Sequence, residues 1–254
     1  MRGGSGLTCF PVFPGATSTT SFAGVWDHWL LAGWKAVCTP VADQAEPFEQ
    51  ARLLYEQAVF NGDDGALPAA DLILDATEAG LALARGRIMH ARFLAHQQED
   101  PQELALFERA AALYHQLGDV RGEGESLFWV GTFHQVVRGD DDAAGPPLER
   151  AWSLAQAADD KLTLSYVVRH LGFAEMAAGR LDGARELLEE SVRLRQEIGF
   201  TPGVAAGLLA LADLAARAGD RDRALALLDE ATAIAADSGA RGILRWADQA
   251  RQEL

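Results

Sequence analysis

The sequence predicts an all-α solenoid of helix–turn–helix repeats, about 11–12 helices long, and three observations lead there. The first is a phrase that recurs along the chain. Leu188-Glu189-Glu190-Ser191-Val192-Arg193-Leu194 returns as Leu228-Asp229-Glu230-Ala231-Thr232-Ala233-Ile234, and earlier versions begin at Leu148 and Phe107, so the large apolar residue repeats at spacings of 41, 40 and 40. The second is a turn with the same offsets, at Gly118, Asp159, Gly199 and Gly239, with a second turn at Gly139, Gly179 and Gly219 followed five residues on by Ala144, Ala184 and Ala224. The third is that apolar residues recur at three- and four-residue steps and nowhere alternate as a strand would. A fixed period of this size marks units that each bury an apolar face only against their neighbours.

Taken in order, residues 1–20 are rich in Gly, Ser, Thr and Pro and read as a flexible N-terminal arm. Residues 21–40 carry Phe22, Val25, Trp26, Trp29, Leu30, Trp34 and Val37 at helical steps, which predicts an amphipathic Trp-rich helix. Its expected use is to cap the first repeat; the competing readings are an internal occupant of the binding groove and, with no basic polar face to support it, an interfacial membrane helix. A linker is expected over 41–47 and a helix over 48–60, broken by Asn61-Gly62-Asp63-Asp64-Gly65. A helix from about Pro68, with Ala70, Ile73, Leu74 and Thr77 inward, and another over 85–97 follow. Asp100-Pro101-Gln102-Glu103 combines a capping Asp, a first-turn Pro and a Glu three residues after the cap, a strong helix start.

Where two helices of a unit cross, one must present small side chains, and Ala144, Ala184 and Ala224 with Ala151, Ser191 and Ala231 fill that role. Pro146-Pro147 predicts a late start, near Pro147, for the helix that holds Leu148. The solenoid is expected over 47–239 in about five repeats, with 240–254 a capping helix whose Ile243, Leu244, Trp246, Ala247, Ala250 and Leu254 share one face.

Composition narrows the function classes. The 254 residues are 49% hydrophobic and 23% charged, with a formal net charge of −15 that opposes nucleic acid and anionic membrane surfaces. Cys9 and Cys38 are the only cysteines and form no CxxC pair, so neither a disulfide framework nor a zinc site is expected. The opening residues lack the apolar run of a targeting signal, and a cytoplasmic location is the expectation. No phosphate-binding loop, His-Glu-x-x-His, Gly-x-Ser-x-Gly or dinucleotide fingerprint occurs, and the six histidines are scattered. No enzyme activity, cofactor or metal is expected.

The phrase Leu208, Leu211, Ala212, Gly219-Asp220, Ala224, Leu228, Ala231, with its preceding copy Val168, Leu171-Gly172, Gly179, Ala184, Leu188, Ser191, resembles the tetratricopeptide repeat. The longer period of about 40 resembles the variety found in kinesin light chain and in sensory arms of large bacterial transcriptional regulators. That resemblance implies a right-handed α-solenoid whose first helices line a concave groove, and a non-enzymatic module that binds a peptide or protein segment there. A regulatory sensor for a small molecule or signalling peptide is the alternative. The sequence departs from the family at Asp142, Arg180 and Asp220, around turns where the family often has an aromatic residue.

Aligning the first helices on their closing glycines gives the groove positions. They are Trp129 and Phe133 in one unit, Tyr166, Arg169, Phe173 and Met176 in the next, Asp213 with neighbouring Arg217 in the third, and Arg92 with His96 in the early unit. Here Arg92, Arg169 and Arg217 are expected to take carboxylates or backbone carbonyls while Trp129, Tyr166 and Phe173 hold an apolar or aromatic anchor, in a partner bearing carboxylate and aromatic groups. The competing reading rotates the helices by one position, which makes Trp129, Phe133, Phe173 and Met176 core residues and pairs the arginines with neighbouring carboxylates.

Overall fold

The computed structural model describes residues 41–254; the arm expected over 1–20 and the Trp-rich helix over 21–40, with both cysteines, lie outside the described residues. The chain divides into two compact units, Met1–Glu46 and Pro47–Leu254, and the second carries the helical repeat. Ten α-helices are present among the described residues: α1 (Val41–Asn61), α2 (Ala66–His96), α3 (Pro101–Leu117), α4 (Val120–Thr132), α5 (Asp141–Ala157), α6 (Lys161–Ala177), α7 (Leu181–Glu197), α8 (Thr201–Arg217), α9 (Arg221–Asp237) and α10 (Arg241–Glu253). No strand occurs among them. From α2 onward each helix packs against the next, so α2–α3, α4–α5, α6–α7 and α8–α9 form pairs stacked in chain order. This is an all-α, tetratricopeptide-like solenoid.

The caps follow the expected chemistry. Carboxylates of Asp100, Asp119, Asp140, Asp160 and Asp220 accept hydrogen bonds from backbone N–H groups two or three residues on, at 2.9–3.2 Å. The repeating turn closes in the left-handed region, with φ of 70° at Gly118 and 69° at Gly199, and Asp159 takes the same slot at 50°.

Each pair crosses where the sequence places small residues. Ala144, Ala184, Ala224, Ala151, Ser191 and Ala231 are all fully buried, as are Phe107, Leu148, Leu188 and Leu228. The opposing helix contributes glycine: a Cβ at Gly131 would lie 2.6 Å from Leu148 Cγ, and one at Gly172 would lie 3.0 Å from Leu188. The recurring large residue therefore seats directly on the backbone of its partner helix. Burial of such a side chain stabilises by about 1.5–3 kcal/mol.

The one irregular spacing also has a structural origin. The first helices α6 and α8 each span 17 residues, whereas α4 has 13 α-helical residues continued by a five-residue π-helix, Phe133–Val137. The extra residue of the 41-residue step is the inserted residue of that π-turn.

Five expectations need correction. Residues 41–47 belong to α1 instead of a linker, with Pro47 inside the helix. The helices expected from Pro68 and over 85–97 are one continuous α2 of 31 residues. The stretch joining them, 78–84, holds a single glycine, Gly80, which costs about 1 kcal/mol against alanine among strong helix formers. Leu74, expected inward, is 40% exposed. The helix α5 begins on schedule at Asp141 and runs through Pro146 and Pro147, because buried Ala144 and Leu148 anchor the turn on either side of the missing N–H groups. In α10, Ala247 is buried and Ala250 and Leu254 pack on the α8–α9 core, but Trp246 is half exposed because its position falls off the packed face.

Candidate binding site on the first helices

The helices α2, α4, α6 and α8 open the four repeat pairs, and nine of the ten expected groove residues lie on their α-helical segments; Phe133 opens the π-turn that continues α4. Trp129 is half-buried at the centre. Its indole stacks on Phe107 at 5.5 Å and 14°, meets Phe128 at 5.1 Å and His90 at 5.3 Å edge-on, and carries the Arg87 guanidinium 5.9 Å above it.

Phe128 continues the line to α6, 5.5 Å from Tyr166 and 5.3 Å from His170. His170 meets Phe173 edge-on at 5.7 Å, and the Arg169 guanidinium lies 4.5 Å over the Phe173 ring. So Trp129, Tyr166, Arg169 and Phe173, expected separately, form one connected aromatic and cationic strip across two repeats, half-buried and open on one side. Offset and edge-on ring pairs of this kind contribute about 0.5–1.5 kcal/mol each beyond burial.

The other expected residues fall elsewhere. Phe133 and Met176 are core side chains at 0% and 8% exposure, so the groove expectation fails for both; the π-turn rotates Phe133 inward, and Met176 packs against Ala184 and Leu188. Arg92 and His96 are exposed at the end of α2, where they line a shallow cleft with Met89 and Glu99. Arg217 is engaged by Asp213 of its own helix at 3.1 Å, which leaves its charge answered internally.

Beneath the strip lies a polar layer that the groove assignment missed. The π-turn aims Gln135 at α6: its Oε1 accepts from His170 Nδ1 at 2.7 Å, while its Nε2 donates to the His170 carbonyl at 3.1 Å and to Asp141 at 2.9 Å. Burial, reinforced by the charges of Arg169, Arg195 and His90, holds the His170 imidazole well below the usual histidine range, so it is neutral. His90 is paired in the same way, with Nδ1 2.8 Å from the fully buried Glu103 carboxylate. Arg87 of α2 pairs with Glu125 of α4, tying adjacent first helices together.

Arg195, on α7, is the largest fully buried side chain among the described residues. Its Nη1 donates to the Gly203 carbonyl at 2.9 Å, its Nε lies 3.4 Å from Ser165 Oγ, and its guanidinium sits 4.9 Å from the Tyr166 ring. On α8, a Cβ at Gly203 would run into the Phe200 ring first and would also lie 3.0 Å from the Arg195 stem. A signal for Arg195 existed. It occupies the slot that Ala155 and Ala235, one repeat away on each side, fill with a buried methyl group.

Residues 162–237 match the family model described as the tetratricopeptide repeat. Among solved structures, BtubC (BKLC) from P. vanneervenii is similar at 18% identity and a TM-score of 0.43, covering 80% of this chain and 93% of that one. No curated protein matches the chain in sequence. The family match falls on α6–α9, where the 40-residue register, the paired helices and the alanine crossings are most regular, so these two helix pairs are of the tetratricopeptide-repeat type.

Proposed function

We propose that this chain is a non-enzymatic interaction module that binds a peptide or protein segment along the first helices, centred on Trp129, Tyr166, Arg169 and Phe173. Tetratricopeptide repeats generally mediate protein–protein interaction. The observation that carries the reading for this face is the connected aromatic strip, which stays half-exposed although each ring would be more stable fully buried. A partner supplies the missing cover: an apolar or aromatic side chain against the rings, and an acidic group toward Arg169, which has no ion pair among the described residues. The protein's negative charge elsewhere favours a partner that enters along this locally positive line.

A photo-crosslinking amino acid tests the face directly. Placed at Phe173 it should capture a discrete partner band in cells of the source organism; placed at Trp152, on the exposed side of a second helix, it should not. Equal capture at both positions, or none at Phe173, contradicts the assignment.

A further inference from the structure

We propose that Arg169 and Arg195 form a binding site for a dianionic oxyanion of the phosphate type. Most arginines in the described chain are answered by a carboxylate: Arg109 by Glu78, Arg121 by Asp160, Arg138 by Glu99, Arg180 by Glu175 and Arg217 by Asp213. Arg169 and Arg195, the most deeply set of all, have no ion pair among the described residues. Buried nitrogens on both, Nε of Arg169 and Nη2 of Arg195, lack any acceptor.

A buried cation without a counter-charge is costly, and the repeat offers an obvious way to avoid it, since alanine fills the Arg195 slot in the flanking units. The chain instead keeps the guanidinium, holds it on the Gly203 carbonyl and covers it with Tyr166. Burial first, and then the charge of Arg195, push the Arg169 guanidinium down to about 9. Arg195 is itself pushed down to about 10 by burial.

Two unanswered positive charges call for two negative ones, and guanidinium groups match phosphate oxygens through paired N–H donors. Arg169, half-buried at the surface of the strip, makes the direct contact; Arg195 supplies the second charge from below. Tyr166 and Phe173 flank the site and limit water, which strengthens the attraction. A phosphorylated side chain of a bound peptide and a free phosphate compound present this same chemistry. The site lies on the face assigned to partner binding and rests on that reading only for the peptide as source.

The test is NMR of the full chain labelled with ¹⁵N-arginine, titrated with inorganic phosphate at about pH 8, where the dianion dominates, at constant ionic strength. The Nε–H signals of Arg169 and Arg195, assigned by their loss in Arg169→Gln and Arg195→Met, should move saturably, and acetate should bind at least about tenfold more weakly. A phosphoserine peptide that binds about tenfold tighter than phosphate identifies a phosphorylated chain as the source; equal or weaker binding identifies a free phosphate compound. Absence of a saturable shift, acetate as effective as phosphate, or unchanged affinity in Arg169→Gln overturns the proposal. Loss of crosslinking at Phe173 with an intact phosphate response would remove the peptide reading and leave the site.

Discussion

The helix pairs α6–α7 and α8–α9 are built to the same plan and filled differently. Both use 17-residue helices, close on left-handed glycines and seat a fully buried leucine, Leu188 or Leu228, at the crossing. Forty residues apart, His170 stands opposite Ala210, Arg195 opposite Ala235, Tyr166 opposite Ala206 and Arg169 opposite Leu209. The α8–α9 pair shows what the repeat needs to fold: alanine and leucine. Whatever α6–α7 adds to that, a buried guanidinium, a neutral imidazole and a half-covered ring, is not required by the fold. On the reading proposed above, these departures at buried slots of α6–α7 serve binding.

The largest expected effect belongs to what the pairs share. Leu188→Ala and Leu228→Ala should each cost about 2–5 kcal/mol in chemical denaturation, since both residues are fully buried at equivalent crossings. A large loss at one and none at the other would break the equivalence.

Glu103 is the next step down. It occupies, in α3, the crossing slot held by Ala144, Ala184 and Ala224, and pairs with His90. Glu103→Ala should cost about 1–3 kcal/mol by leaving the buried imidazole without its partner, even though it installs the residue the other units use. Measured stability equal to wild type would show the pair to be incidental.

At the helix ends, Asp220→Ala removes the side-chain acceptor at the start of α9 and should cost about 1 kcal/mol by the same measurement. An unchanged midpoint would contradict the cap.

A further effect, of about the same size, distinguishes the two pairs by pH. The unfolded chain binds a proton at His170 near pH 6.5, while the folded chain holds that imidazole neutral far below this value. Stability from this source is complete above about pH 6.5 and is lost as pH falls below it, because the unfolded state then binds more protons. Melting temperature should drop between about pH 7.5 and about pH 5.5, and drop less in His170→Gln. An identical pH profile in the variant would remove His170 as the cause.

Much of this frame is legible in the residues themselves. The 40-residue register places the crossings, the turns and the paired helices, because each depends on one small or large residue at a fixed slot. The early helices are harder to read: the continuity of α2 depends on packing that tolerates Gly80, and Gly86 is required by the ring of Phe107, a long-range contact. Helix phase in α4 is hidden by the π-turn, which moves Phe133 from the expected face into the core. Trp129, Tyr166, Arg169 and Phe173 were visible as a face, whereas their connection through Phe128 and His170 emerges only when neighbouring helices pack. Arg195 is absent from the expected groove; an arginine in an alanine slot is a signal that becomes meaningful only once the slot is known to be buried.

The most direct test of the claim that α6–α7 departs from the repeat for binding and not for stability is the melting temperature of Arg195→Met. Methionine keeps the length of the buried stem and removes the charge, so the variant should melt at or above the wild-type temperature. A fall comparable to that of Leu188→Ala would contradict the claim and make Arg195 a structural residue of the core.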